Sequence, residues 1–197
     1  MSTTVSKEKI LGVLSELYTD MENAYRLAAE KIGLFCDGCP DNCCRTFFQH
    51  HTYIEWAYLW KGLEQCTKKQ KETLIARAQD YVAQSKHLMG QGTQPQIMCP
   101  LNEDGRCQLY EHRLMICRMH GVPNSFIRPD GKKLSFPGCT RSQELYAQSE
   151  EAPVLDRTPH YRRLASLEMT LRGPNPQRLS RVNLTIAEML VAGPPHV

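Results

Sequence analysis

A mostly α fold, a small helical domain with irregular cysteine-bearing loops, is what this 197-residue sequence predicts. Two observations predict it: long runs carry apolar residues at three- and four-residue steps, and turn-forming residues crowd around the cysteines. A chain of this length also fits one compact domain, because a single core can bury enough apolar surface to offset chain entropy. We therefore expect a helical domain over residues 1–152, with residues 153–197 as an extension packed on it.

The first element follows from Ile10, Leu14, Leu17, Met21, Ala24, Leu27 and Ala28, which predict one amphipathic helix from about Ser6 to Leu34. Between Cys36 and Arg45, four cysteines stand among Gly38, Pro40, Asp41 and Asn42, which favour tight turns and predict a ligand-bearing loop. Thr52 to Gln65, with Ile54, Trp56, Leu59 and Leu63, predicts a second helix. Lys68 to Met89, with Leu74, Ile75, Ala78, Val82 and Leu88, predicts a third, capped by Thr67. Tyr53, Trp56, Tyr58 and Trp60, at helical steps, are expected to fill the core rather than stack on a base.

Beyond the Gly90 to Pro95 stretch, only short elements are expected. Glu111 to Arg118 and Ser142 to Gln148 suit brief helices, with Pro123, Pro129, Gly131, Pro137 and Gly138 breaking the chain between them. After Pro153, Pro159, Pro174 and Pro176 separate short helix-like runs, the last from Thr185 to Val191.

Composition narrows function. Apolar residues at 41% and charged residues at 23% are ordinary globular values, so neither disorder nor a fibrous repeat is indicated. A net charge of +3 without a Lys/Arg block provides no footprint for nucleic acid or an anionic membrane. The polar Met1 to Ile10 stretch and the lack of a long apolar run point to a cytoplasmic protein. In that reducing compartment nine cysteines suggest metal binding or redox chemistry before structural disulfides.

Eight of the nine fall into two groups. Cys36, Cys39, Cys43 and Cys44 form a C-x2-C-x3-C-C run, and a two-residue gap lets two thiolates turn onto one ion about 2.3 Å from each sulfur. Cys43 and Cys44, being adjacent, serve one centre only in a turned backbone, or else serve neighbouring centres. Cys99, Cys107, Cys117 and Cys139 are spaced too widely for a local knuckle and must converge through tertiary folding. Zinc and iron–sulfur clusters both accept four thiolates, so an iron–sulfur cluster or iron is expected, with zinc as the alternative. The spacing departs from the ferredoxin run, and Thr46 stands where a radical S-adenosylmethionine motif needs its third cysteine.

Cys66 lies outside both groups and reads as a core thiol. His112 and His120 flank Cys117 and could replace a thiolate, although polar surface is the commoner role; His50 and His51 are weaker candidates. Arg113 and Arg118 stand among the thiolates and are assigned to cofactor or anionic-substrate binding, against a plain surface salt bridge. Tyr110 and Glu111 are explained equally well as helix-start residues.

These motifs together resemble the YkgJ-like CxxCxxxCC cysteine-cluster family. The matching stretches are Cys-Asp-Gly-Cys-Pro-Asp-Asn-Cys-Cys at 36–44, Cys-Pro-Leu at 99–101, Gly-Arg-Cys-Gln-Leu-Tyr-Glu-His-Arg at 105–113, Cys-Arg at 117–118 and Gly-Cys at 138–139. They cover about the middle half of the chain. The family's Arg-Pro step is here Arg113-Leu114. The resemblance implies a zinc- or iron-chelating domain, and in one branch, the flagellin lysine N-methylases, a protein substrate. A metal-dependent protein-modifying enzyme and a zinc-stabilised interaction module are therefore the alternatives to a metal-binding or electron-transfer role. An open coordination position would separate catalysis from a closed structural site.

Overall fold

The computed structural model describes residues 6–36, 43–147, 154–175 and 179–197, and it is mostly α. In chain order its elements are α1 (Lys7–Lys31), a 3-10 turn (Cys43–Arg45), α2 (Tyr53–Glu64), α3 (Lys68–Gly90), the short strands β1 (Asn102–Glu103) and β2 (Arg106–Cys107), and a second 3-10 turn (Tyr110–His112). There follow α4 (Met115–Met119), β3 (Asn124–Ile127), β4 (Lys133–Phe136), α5 (Thr140–Tyr146), β5 (Leu155–Asp156), α6 (Thr158–Arg172) and α7 (Ile186–Val191). Among the described residues no helix is long and apolar enough to cross a membrane.

The chain forms two compact units, each discontinuous in sequence: Met1–Cys43 with Met115–Thr170, and Cys44–Leu114 with Leu171–Val197. The stretch expected as an extension is shared between them, since most of α6 belongs to the first unit and α7 to the second.

The first unit is built on α1. Ser6 caps it by accepting from the Lys9 N–H at 3.3 Å, satisfying one of the donors that a helix start leaves open. Ile10, Leu14, Leu17, Tyr18, Met21 and Ala28 form its buried stripe. Leu27, expected on that stripe, is 55% exposed, because it lies a full 100° step from Ala28. The stop is a glycine turn: Gly33 has φ +65°, and the Leu34 N–H reaches back to Ala29 O at 2.9 Å.

A three-stranded sheet in the order β4-β3-β5 belongs to the same unit, and the helix-based expectation for 99–139 omitted it. β3 and β4 pair antiparallel from Asn124↔Phe136 to Ile127↔Lys133, so Pro129 and Gly131, read as helix breakers, are the loop of a hairpin. β5 pairs parallel to β3 through Asn124↔Leu155 and Ser125↔Asp156. Pro159, also taken for a breaker, lies in the first turn of the 15-residue α6, where a missing N–H costs nothing.

In the second unit each helix start carries its own cap. Thr67 and Gln70 form a reciprocal capping box on α3, Thr185 and Glu188 form another on α7, and Thr52 caps α2. Leu59, Leu63, Leu74, Ala78, Leu101, Leu114, Met189 and Leu190 build the core. Tyr53 and Tyr58 are buried as expected; Trp56 and Trp60 pack against that core half-buried, and both indole N–H groups donate to Met189 O, at 3.1 and 3.0 Å. They satisfy a carbonyl near the C-terminal end of α7 that the short helix leaves open.

The single helix expected over Glu111 to Arg118 is divided instead. Arg113 sits extended at φ −61°, ψ 141°, between the 3-10 turn and α4. That is the conformation a following proline would impose, adopted here although Leu114 follows.

His50 is 4% exposed and bridges Leu184 through both backbone hydrogen bonds, at 2.8 and 3.1 Å. Burial first, and the neighbouring His51 charge second, lower its pKa from 6.5 to about 3. Below pH 6.5 the unfolded chain takes up a proton that the folded imidazole refuses, so stability is full above 6.5 and drains away toward pH 3. His50→Gln is expected to flatten that slope in urea unfolding followed across this range. An unchanged slope would show that other groups set the acid limit.

Candidate metal centre

The cysteines divide with the units. Cys36, Cys43, Cys117 and Cys139 belong to the first and Cys44, Cys99 and Cys107 to the second, the boundary falling between the adjacent Cys43 and Cys44. Cys39 lies outside the described residues. The eight described cysteines, Cys66 included, are thiols rather than disulfides.

In the first unit the glycine stop of α1 delivers Cys36 back toward the helix, where its Sγ lies 3.8 Å from the Tyr25 hydroxyl. Cys139 is the N-cap of α5, its sulfur accepting the Ser142 N–H at 3.4 Å while its own N–H donates to Gly121 O at 2.9 Å. Cys139 and Tyr25 pack together against Ala28, Ala29, Leu34 and Val122.

Two glycines make this arrangement possible. A Cβ on Gly138 would stand 2.4 Å from Gly121 O, and a Cβ on Gly121 would stand 2.6 Å from the Tyr25 hydroxyl oxygen. Both residues have positive φ, +85° and +120°. The Tyr25 pKa is pushed far above the ordinary phenol value by burial, then by the neighbouring Cys36, Cys139 and Cys43. The phenol therefore stays protonated and can donate toward sulfur. Tyr25 was not among the residues singled out from the sequence, where it reads only as a partly apolar helix position.

Cys117 is on α4, and the next residue fixes that helix. Arg118 is buried, pairs with Glu22 of α1, and lies 4.5 Å from the Tyr18 ring centroid. Arg118, a candidate for cofactor binding, is thus engaged with α1 and locks α4 onto it. His120, after the same helix, is partly buried, which lowers its pKa, with the Arg157 charge as the second cause.

In the second unit a backbone ladder assembles the group. The Cys99 N–H donates to Cys44 O at 2.9 Å, and the Asn102 N–H donates to Cys99 O at 2.9 Å. Asn102 is then paired in register with Cys107 across the β1–β2 hairpin. Asp104 and Gly105, with φ of 50° and 83°, form the tight turn that sets this register. Asn102 Oδ1 supports it by accepting the Gly105 N–H at 3.2 Å. The Tyr81 pKa is raised by burial first and then by the Cys99 charge.

The other candidates in this unit sit elsewhere. Cys66, at the end of α2, packs against the helical core with its Sγ 3.8 Å from Gly62 O. The His112 ring occupies the space where a Gly62 Cβ would be and tilts against the Tyr58 ring at 4.8 Å. Arg113 folds over its own turn, 3.6 Å from the Tyr110 ring centroid, with Nε donating to Tyr110 O at 3.2 Å. Tyr58 donates to Glu111 O at 3.2 Å.

Among the described residues no three Cys, His, Asp or Glu side chains are gathered closely enough to hold a metal ion. The donors nonetheless fit one in kind, since soft thiols suit zinc and iron–sulfur centres. No family model, curated protein or solved structure matches this chain.

Gly121→Ala is expected to destabilise the protein by about 1–3 kcal/mol, through backbone strain and the clash with the phenol. Part of that loss should return when Tyr25→Phe removes the oxygen struck. Denaturant unfolding of the two single variants and the double variant measures the coupling. Strict additivity would place Tyr25 away from Gly121 in solution.

Proposed function

We propose that this chain is a metal-binding cysteine-cluster protein that carries an iron–sulfur cluster or iron, with zinc as the alternative, in two thiolate sets. The reading rests on one observation above the others: the Cys36 sulfur lies 3.8 Å from the half-buried Tyr25 hydroxyl, and Cys139, distant in sequence, and Cys43 also act on that phenol in the same unit. Cysteines placed for packing alone have no reason to share a polar focus. The first set would draw on Cys36, Cys39, Cys43, Cys117 and Cys139, with Cys39 included on its spacing to Cys36. The second would draw on Cys44, Cys99 and Cys107, leaving room for a non-cysteine ligand or an open position.

A bound cluster would supply electron transfer, and a bound zinc ion a structural cross-link. The protein contributes the soft donors and a protonated phenol directed at one of them. Binding is expected to draw the sulfurs inward, because ligand deprotonation and site closure are coupled to metal uptake.

Anaerobic purification with iron, zinc and acid-labile sulfide counted per chain tests the reading. Iron with sulfide and a visible absorbance band would assign a cluster, whereas stoichiometric zinc in a colourless protein would assign a structural site. A protein that takes up neither metal ends the proposal. Cys139→Ser and Cys107→Ser should each remove part of the bound metal and leave the remainder, while Cys66→Ser should remove none. Complete loss in either of the first two would mean that all the thiolates serve one centre.

A further inference from the structure

The first unit also contains a buried cation that has no counter-charge among the described residues. Arg157 follows β5 and is 4% exposed, held by its N–H donating to Ser125 O at 2.8 Å. Its guanidinium lies 5.1 Å from the Phe136 ring centroid, 5.5 Å from Tyr161 and 6.0 Å from Phe126. Among the described residues it makes no ion pair, and its buried Nε has no hydrogen-bond acceptor. The adjacent Asp156 gives no help, because its carboxylate is turned to the N–H and hydroxyl of Thr158, at 2.8 and 2.5 Å.

Its position adds to the cost, since it stands at the start of the 15-residue α6, where the helix dipole is positive. Aromatic faces recover part of the lost hydration, but an unpaired buried guanidinium remains unfavourable. A purely structural site of this volume would be better filled by an apolar side chain.

We propose that Arg157, with the rings of Phe126, Phe136 and Tyr161, binds the carboxylate of a small organic acid with an apolar or aromatic body. One guanidinium fork matches one planar carboxylate. The imidazole of His120 is held neutral by its surroundings, so the site offers a single positive charge, which suits a monoanion better than a phosphate dianion. Phe126 and Phe136 sit diagonally on one face of the β3–β4 pair with rings nearly parallel, 4° apart, and Phe136 is 41% exposed, giving the apolar body a surface to rest on. This inference is independent of the thiolate sets.

The test uses the full-length protein, with phenylacetate as the probe, inorganic phosphate as the alternative anion, and 2-phenylethanol as the neutral analogue. Calorimetric titration should show saturable binding of phenylacetate, weakened by about tenfold or more in Arg157→Met and in Phe136→Ala. 2-Phenylethanol and phosphate should bind far more weakly. Without ligand, Arg157→Met is expected to melt no lower than the parent, since it removes an uncompensated charge. No saturable phenylacetate binding, binding that survives Arg157→Met, or equal binding of phosphate or 2-phenylethanol would each overturn the site. A large fall in the melting temperature of Arg157→Met would instead assign Arg157 a structural clamp. Phe136→Ala, on an edge strand with its side chain part-exposed, keeps the test open should Arg157→Met fail to fold.

Discussion

The hydrogen bond from Cys139 N–H to Gly121 O is the contact on which the first unit depends. It forms only because position 138 has no side chain, and the same backbone at 121 leaves just enough space for the Tyr25 hydroxyl. One close approach therefore sets three things together: the start of α5 at Cys139, the entry into β3, and the depth at which α1 presents its phenol to the thiols. Substituting either glycine would disturb a packing contact and a polar one at once.

The second unit uses a different device for a similar end. Its cysteines are placed by main-chain pairing, from Cys44 to Cys99 to Asn102 and across the hairpin to Cys107. The first unit places its cysteines through a glycine turn before Cys36 and a helix cap at Cys139, the second through backbone register.

The helices of this fold were legible because their signals are local. Apolar steps from Ile10 to Ala28, and Thr67 before α3, mark elements that the chain alone specifies. The sheet was not legible, because Asn124–Ile127 and Lys133–Phe136 are four residues each and are joined by Pro129 and Gly131, which punctuate helices and hairpins alike. Asp104-Gly105 was a readable hairpin signal that the cysteine spacing overshadowed. For the site, the thiols could be read from spacing, but Tyr25 and Arg157 gain their meaning only from neighbours distant in sequence. Arg118 drew attention for its place beside Cys117, and its partner Glu22, 96 residues away, could not be read from the chain alone.

The discontinuity of both units bears on how the protein is made. Tyr25 and Cys36 leave the ribosome about a hundred residues ahead of Cys139, and residues 44–114 are completed only by 171–197. Contacts of such sequence separation form slowly, because loop closure must be met before packing repays it. During synthesis α1 must wait as an amphipathic helix with its apolar stripe uncovered, and Cys36 waits beside it without its eventual neighbours. Aggregation and premature thiol oxidation are thus hazards of the nascent chain, and the period in which they act is set by chain order rather than by the stability of the finished fold.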